Sequence, residues 1–321
     1  MRNRSMNLNI YSIYRKELMG IAAIIIILCH IAGNHVLLPT TVIKILGLGN
    51  YGVDIFMFMS GLGMFYSLSN YTGSINGWYK KRLIRILIPY LITTFVYCII
   101  RAYYNSFSFT DAILSLSTMD FWLYGRGAWF VAAIIPLYLI TPFMSKLIKT
   151  RRNKSLWVII IISILIILSK SNIINNDIYT NIKFVLGRVP MFVLGYYMAH
   201  HIKNGITLKI QYVLLISIIS IASYIFLNIY TALTIPILFA LGYIMKYLHR
   251  ITFIDKTIIF MGGISLESYL TNIYLATLLG HINFGKIGYG NYLQYILVII
   301  IGIPLAWYIN KISKKLLIKK Q

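Results

Sequence analysis

The sequence predicts an all-α, polytopic integral membrane protein of about ten transmembrane helices, and three observations lead to that class. The 321 residues are 59% hydrophobic and only 12% charged, whereas soluble domains are about 45–50% apolar and about 25% charged. The mean hydropathy is +0.77. The apolar residues form runs long enough to cross a bilayer, which takes roughly 20 residues of helix. This composition excludes a soluble globular domain and a disordered chain.

Ten apolar runs, separated by polar or glycine-containing segments, define the predicted spans. They are residues 18–38, 47–68, 83–104, 128–148, 155–170, 184–201, 208–228, 231–249, 257–280 and 291–312. No connecting segment is long enough for a soluble domain. Residues 1–321 are therefore predicted to form a single membrane domain.

The net charge of +23 comes from 30 Lys and Arg residues against 7 Asp and Glu residues. With a cytoplasmic N-terminus, 23 of the 30 basic residues fall on segments that face the cytoplasm. Basic loops stay on that side of a membrane and contact anionic lipid headgroups. The charge pattern predicts that both termini are cytoplasmic and that the lipid bilayer, and no nucleic acid, is the partner of this basic surface.

The two cysteines, Cys29 and Cys98, both lie inside apolar runs. This placement is typical of buried thiols and predicts neither a disulfide nor a metal site. No metal cofactor is expected on this basis.

Ionisable residues inside the predicted spans are the first candidates for a functional site. A charged side chain at the bilayer centre costs about 2.5–3.5 kcal/mol on insertion scales, so each one needs a partner or a function. Four are placed by the helical rise in the middle or outer half of the bilayer: His30, Asp54, Arg188 and Glu267. Their shared depth favours one buried polar site. The alternative is a structural ion pair between Arg188 and either Asp54 or Glu267.

Arg101 and Asp120 differ from those four because they lie at or beyond the end of a predicted helix. Side chains in that position reach water along the helix surface. Both are therefore predicted to contact solvent.

The segment WYKKRLIRILIPY begins a span with Arg82 and Arg85 three residues apart. This spacing places two guanidinium groups on one helix face, an arrangement that suits a phosphate. The alternative is a pair of anchors beside lipid headgroups. In GLGNYGVDIFMFMSGLG, five glycines surround Asp54 and Ser60, and tight helix packing is sufficient to explain them.

Six segments, in this order along the chain, carry a family resemblance: RKELMGIAAIIIILCH, NYGVDIFMFMSGLGMFYS, WYKKRLIRILIPY, WFVAAIIPLYLITP, GRVPMFVLGYY and GGISLESYLTN. Together they resemble the integral membrane acyltransferase family 3, whose members O-acylate sugars of the bacterial envelope. The likeness spans nearly the whole chain. It departs from the family pattern at Met19, because the family has an arginine eleven residues before its histidine. In this sequence Lys16 or Arg15 is the candidate substitute for that arginine. It also departs at Asn272, where the family often has histidine.

The resemblance implies the role of the essential histidine for His30 and phosphate contacts for Arg82 and Arg85. It also marks family positions in the remaining elements, at Asp54, Ser60, Trp129, Tyr138, Arg188 and Tyr269. The implied protein is an O-acyltransferase of the plasma (inner) membrane. It moves an acyl group, with acetyl favoured, from cytoplasmic acyl-CoA to a hydroxyl of an extracytoplasmic polysaccharide, glycolipid or lipid-linked sugar.

For that reaction, His30 is the expected general base or acyl carrier, because imidazole titrates near neutral pH. Asp54 or Glu267 is expected to orient the ring, and Arg188 or Tyr138 to stabilise the oxyanion. Lys16 is added to the arginine pair as a CoA contact, and no metal is required. The expected substrate contacts are Trp129, Ser60 and Asn272.

A cavity is expected to open inward near Arg82 and outward near Trp129 and Arg188. The main alternative is a transporter or flippase for a glycan precursor, in which the buried charges bind substrate and relay protons. A third possibility is a structural helper of a polysaccharide synthase. A transporter requires neither Arg82 and Arg85 as a pair nor one indispensable histidine.

Overall fold

The structure, a computed structural model, describes residues 5–33, 38–104, 107–150, 153–174, 176–280 and 290–318. Within those ranges the chain forms α-helices joined by short links. They are α1 (Ile10–Ile13), α2 (Arg15–Gly33), α3 (Thr40–Gly47), α4 (Tyr51–Ser69), α5 (Ile75–Tyr103), α6 (Phe109–Leu116), α7 (Met119–Tyr124), α8 (Trp129–Thr150), α9 (Lys154–Lys170), α10 (Asp177–Leu186), α11 (Val189–Lys203), α12 (Ile210–Leu227), α13 (Thr234–Leu248), α14 (Thr252–Gly263), α15 (Ser265–Gly280) and α16 (Gly290–Ile318).

Short 3-10 helices at Leu48–Asn50 and Tyr230–Leu233 lead into α4 and α13. Two three-residue strands, β1 (Ser5–Asn7) and β2 (Thr207–Lys209), pair antiparallel. This pairing is absent from the sequence prediction, and it joins the segment before α1 to the link between α11 and α12.

Seven helical segments within the described ranges are long and apolar enough to cross a membrane. They are Thr40–Ser69, Ile75–Tyr103, Trp129–Ile148, Asp177–Lys203, Ile210–Leu227, Tyr230–Leu248 and Tyr292–Leu317. The prediction of a helical, multi-pass membrane protein is confirmed. Helix also occupies the described part of the other three predicted spans, as α2 up to Gly33, as α9, and as the pair α14 and α15. Ten crossings and cytoplasmic termini stay predictions.

The core lies where α2, α4, α11 and α15 meet, and Leu18, Ile55, Phe192 and Leu270 are fully buried there. Large apolar side chains on the outer helices are exposed instead, for example Ile218 on α12. Such a surface suits a lipid environment, where exposed hydrocarbon carries no cost.

Close contact between α4 and α11 depends on two glycines. A Cβ atom on Gly61 would lie 2.0 Å from the carbonyl oxygen of Phe192, and one on Gly195 would lie 2.0 Å from that of Phe58. Any larger residue would force the helices apart. The predicted role of the glycine-rich segment in tight packing is confirmed at Gly61.

The predicted span 257–280 is interrupted at Ile264, between α14 and α15. A Cβ on Gly262 would meet the Lys16 carbonyl oxygen at 2.0 Å, and one on Gly20 would meet that of Ile258 at 1.9 Å. These glycines allow α14 to pack tightly on α2. The α15 helix then begins afresh at Ser265, and most of its first ten residues are buried.

Candidate functional site

A cavity of about 790 Å³ opens among α2, α4, α5, α8, α15 and α16, in the size range of small-molecule sites. We call it the basic cavity because six cationic residues line it: Arg15, Lys16, Lys81, Arg82, Arg85 and Lys314. Glu267 contributes a carboxylate to the same lining. This excess of positive charge suits a ligand with several negative charges.

The residue Arg15 contributes a buried guanidinium to the basic cavity. Its Nη2 donates to the Met59 carbonyl oxygen at 3.3 Å, whereas its buried Nε has no hydrogen-bond partner among the described residues. Gly63 provides the space, since a Cβ there would lie 2.4 Å from Arg15 Nη2. An incompletely bonded guanidinium facing a cavity is suited to bind an anion.

Six predicted site residues line the basic cavity: Lys16, Ser60, Arg82, Arg85, Tyr138 and Glu267. The i, i+3 spacing of Arg82 and Arg85 does place both on one cavity wall. Met19 also lines this cavity, and Arg15 lies one helical turn before it. Both substitutes for the family arginine, Lys16 and Arg15, therefore share its surroundings.

His30 lies further along α2, and its Nδ1 is 2.5 Å from Asn272 Oδ1 on α15. The Asn272 amide nitrogen donates to the Tyr295 hydroxyl at 3.4 Å, and that hydroxyl donates to the Ile27 carbonyl oxygen. A carbonyl oxygen only accepts, so this chain of bonds orients the Asn272 oxygen toward His30. In the neutral ring, this acceptor favours the tautomer with the proton on Nδ1 and the lone pair on Nε2.

The hydrogen bond to Asn272 bears on two predictions about the His30 surroundings. The group that contacts Nδ1 is an amide, where Asp54 or Glu267 was expected. Asn272 was expected to contact substrate; its side-chain oxygen is bonded to the His30 ring, and substrate contact stays a prediction. Glu267 itself is buried on the wall of the basic cavity, where its Oε1 accepts from Asn310 Nδ2 at 2.9 Å.

An aromatic wall separates His30 from the basic cavity. A void of only about 10 Å³ adjoins His30, and Ile26, Phe56, Ser265 and Tyr269 line both spaces. The Phe130 ring lies 6.0 Å from the Phe56 ring and 5.8 Å from the Tyr269 ring, and the Tyr269 hydroxyl accepts from the Phe130 backbone N–H at 3.0 Å. Movement of these rings would join the void to the basic cavity.

A second cavity of about 340 Å³ lies among α5, α6, α7 and α15. Its lining combines aromatic rings with two carboxylates and two guanidinium groups: Tyr97, Phe107, Tyr274, Asp111, Asp120, Arg101 and Arg126. The Tyr97 and Tyr274 rings stack with centroids 4.6 Å apart. Such a mixture of flat rings and polar groups is suited to bind a polyhydroxylated ligand.

The prediction that Asp120 contacts solvent is wrong. Asp120 is buried, accepts from Arg126 Nε at 2.9 Å and Nη2 at 2.7 Å, and accepts from the Ser115 hydroxyl at 3.1 Å. The cause is the folding of residues 109–124 into α6 and α7 where a loop was expected. The bond to Asp120 raises the pKa of Arg126. Hydrogen bonds from Ser108 hold the pKa of Asp111, at the start of α6, below its usual range.

Two helices give the axial order of these spaces. Along α15, the lining of the basic cavity ends at Tyr269, the void beside His30 reaches Asn272, and the lining of the second cavity begins at Ile273. Along α5, the lining of the basic cavity ends at Ile86 and that of the second cavity begins at Tyr90, four residues or about 6 Å further on. The void beside His30 therefore lies between the two cavities along α15.

The pair Asp54 and Arg188 forms a separate buried group. Arg188 Nη1 lies 2.7 Å from Asp54 Oδ2, Nη2 donates to Asn50 Oδ1 at 3.2 Å, and the Thr234 hydroxyl donates to Asp54 Oδ2 at 3.2 Å. The guanidinium also lies 4.9 Å from the Tyr230 ring centre. These contacts match the structural ion pair that sequence analysis left open, and neither residue lines the two cavities.

The predicted outer contact Trp129 lines neither cavity, although Gly127 and Ala128, just before it, line the second one. Its ring packs edge-on against Phe184 at 4.8 Å. Sequence analysis missed Tyr97, Asp111 and Arg126 as site residues. Their available signal was the concentration of charge and aromatic residues around 97–126, which an interfacial aromatic belt also explains.

Comparison with known proteins gives one family. The model described as an acyltransferase domain, acyltransferase family 3, matches residues 18–311. No curated protein and no solved structure matches the chain. The matched range contains five of the six resembling segments in full and the first one from Leu18 onward. It also contains the residues of α4, α5 and α15 that line the basic cavity. The chain belongs to acyltransferase family 3.

Proposed function

We propose that this protein transfers an acyl group, with acetyl favoured, from acyl-CoA in the basic cavity to a hydroxyl of an envelope polysaccharide, glycolipid or lipid-linked sugar in the second cavity. The proposed location is the plasma membrane, with the basic cavity on the cytoplasmic side as the positive-inside rule favours. The observation that carries the proposal is the position of His30 between the two cavities.

The basic cavity matches the charge of the proposed donor. CoA carries a pyrophosphate and a 3′-phosphate, and the guanidinium groups of Arg15, Arg82 and Arg85 line one space. Guanidinium groups bind phosphate through paired, charge-assisted hydrogen bonds. His30 is fifteen residues beyond Arg15 on α2, about 22 Å along the helix. A flexible pantetheine arm can cover such a separation once the aromatic wall opens.

The tautomer of His30 supports a role as general base. With the proton on Nδ1, the Nε2 lone pair accepts the acceptor hydroxyl proton while the hydroxyl oxygen forms a bond to the thioester carbon. The tetrahedral intermediate then breaks its carbon–sulfur bond, and the imidazolium returns the proton to the CoA thiolate. In the acyl-carrier route, Nε2 itself attacks the thioester carbon and the carbon–sulfur bond breaks to release CoA thiolate. The acceptor hydroxyl oxygen then takes the acyl group from Nε2, and its proton passes to the thiolate.

For the oxyanion, Tyr138 is the better supported of the two predicted residues. Tyr138 lines the basic cavity, through which the thioester would arrive. Arg188 is bonded to Asp54 and Asn50 and lines neither cavity, so its guanidinium does not face the space through which the thioester would arrive. A phenolic O–H that meets the developing charge would stabilise the intermediate.

Purified protein in lipid nanodiscs tests the proposed reaction directly. It is expected to bind acetyl-CoA, and to release CoA when supplied with envelope glycan from the source cells, with a matching gain of one acetyl mass in the glycan. Rapid release of one equivalent of CoA without acceptor would identify the acyl-carrier route. Glycan movement across the bilayer without CoA binding would support the flippase instead.

The arginines of the basic cavity are expected to govern donor affinity. Loss of one charge-assisted contact costs about 1.5–3 kcal/mol, so Arg82→Ala or Arg85→Ala should weaken acetyl-CoA binding roughly ten- to a hundredfold in calorimetric titration. Arg82→Lys should retain only part of the acetyl-CoA affinity, because an ammonium group lacks the planar arrangement of paired N–H donors that guanidinium offers to a phosphate. Lys80→Ala is the matched control, since Lys80 is exposed on the same helix and outside the cavity. Equal affinity in all four variants would contradict the donor site.

Labelling from each side of the membrane should show that the two cavities open to opposite faces. In a background lacking Cys29 and Cys98, Lys81→Cys should react with a membrane-impermeant maleimide from the cytoplasmic face and be protected by CoA. Thr277→Cys should react from the other face and be protected by acceptor glycan. Both positions are exposed lining residues. Reaction of both from the same face would refute the two-entrance arrangement.

A further inference from the structure

Three potential metal ligands meet at the end of the bundle that contains the first turn of α2. Glu17 lies in that turn, His249 follows α13, and Asp255 lies in the first turn of α14. One ligand atom from each residue lies within 4.8 Å of the other two. His249 Nδ1 and Asp255 Oδ1 are already 3.2 Å apart.

The carboxylate of Glu17 makes this group more than a surface ion pair. Glu17 is only 8% exposed, and one of its carboxylate oxygens lies within 4.8 Å of ligand atoms of both His249 and Asp255. A carboxylate with so little access to water is stabilised by a cation beside it. Its neighbour Lys16 lines the basic cavity. The ligating groups that meet Glu17 from other elements are His249 and Asp255.

We propose that Glu17, His249 and Asp255 bind a first-row divalent metal ion such as Zn²⁺. One imidazole nitrogen and two carboxylate oxygens are ligands that Zn²⁺ takes at about 2.0–2.2 Å, which puts tetrahedral ligand atoms roughly 3.3–3.6 Å apart. The His249–Asp255 distance of 3.2 Å is close to this range, and a shift of Glu17 by roughly 1–1.5 Å would complete the set. Three protein ligands leave a fourth position for water.

The surroundings of the group fit a metal ligand set in two further respects. The Tyr14 ring packs against the His249 ring with centroids 5.2 Å apart, which restricts the imidazole. The His249 side chain is 52% exposed, so an ion can enter from solvent. The ion would join the first turn of α2, which carries Arg15 and Lys16, to the link between α13 and α14. This site is separate from the acyl-transfer chemistry proposed above.

The test uses tag-free, detergent-solubilised full-length protein. After chelation and desalting, it is expected to bind one Zn²⁺ per chain in calorimetric titration, to gain thermal stability on metal addition, and to give visible absorption bands with Co²⁺. Glu17→Gln and Asp255→Asn keep the side-chain shapes and should each weaken binding at least ten- to a hundredfold, the loss typical of even an outer partner of a metal site.

The matched control is Asp177→Asn, which changes an exposed carboxylate in the first turn of α10. It should leave metal affinity unchanged. No stoichiometric binding by the unaltered protein would overturn the proposal. Binding that survives both Glu17→Gln and Asp255→Asn would also overturn it. If a variant folds poorly, the visible absorption bands of Co²⁺ bound to the unaltered protein still show whether the site binds metal.

Discussion

His30→Ala is expected to abolish acyl transfer while leaving the protein inserted and folded. A positioned general base typically raises the rate by about 10²–10⁴-fold. In the proposed reaction that base is the His30 imidazole, which adjoins the void between the two cavities. His30→Gln should be equally inactive, because an amide keeps hydrogen bonding but not basicity. Activity is measured as acceptor-dependent CoA release, and folding as a monodisperse detergent-purified species.

The matched control for His30 is His200→Ala, which removes an exposed imidazole at the end of α11. It should retain full activity. Transfer at the normal rate by folded His30→Ala protein would exclude both the general-base and the acyl-carrier roles. Unaltered acetyl-CoA binding by the inactive variant would separate loss of chemistry from loss of the donor site.

Asn272 gives a graded version of the same test, because its side-chain oxygen is bonded to the His30 ring. Asn272→Leu removes the hydrogen bond to Nδ1 and should lower kcat by about ten- to a hundredfold, in line with the cost of a lost buried hydrogen bond. Asn272→His keeps a nitrogen within reach and should be closer to normal. A change in KM for acetyl-CoA with constant kcat would instead place Asn272 in donor binding.

Features set by local periodicity were predictable from the sequence. The helices follow from apolar runs, and the shared wall position of Arg82 and Arg85 follows from their i, i+3 spacing on α5. Arg15 and Met19 both line the basic cavity because residues four apart lie on one helix face. These inferences needed no knowledge of how the helices pack.

Features set by packing between distant segments were not predictable. His30 bonds to a residue 242 positions away, and Asp54 to one 134 positions away. Depth alone placed the ionisable residues together, whereas the structure divides them among His30 with Asn272, Asp54 with Arg188, and Glu267 with Asn310. Depth fixes one coordinate of a side chain, and the rotation of each helix decides which neighbour it meets.

Removal of the Arg188 charge is expected to cause the largest loss of stability. Arg188→Leu would leave Asp54 fully buried and unpaired, and breaking a buried ion pair from one side costs about 3–5 kcal/mol. Asp54→Asn should cost less, since the remaining guanidinium still lies between the Tyr230 and Phe184 rings. Thermal unfolding in one detergent should rank the variants in that order.

The double variant Asp54→Asn with Arg188→Leu separates the structural role of this pair from a catalytic one. It removes both charges, so its stability should exceed that of Arg188→Leu alone, because no uncompensated charge stays buried. If the pair only joins α4 to the start of α11, the folded double variant should transfer acyl groups at near the normal rate. Inactivity of a stable double variant would indicate that Asp54 and Arg188 take part in catalysis. It would then support the predicted roles, Asp54 in orienting His30 and Arg188 in stabilising the oxyanion.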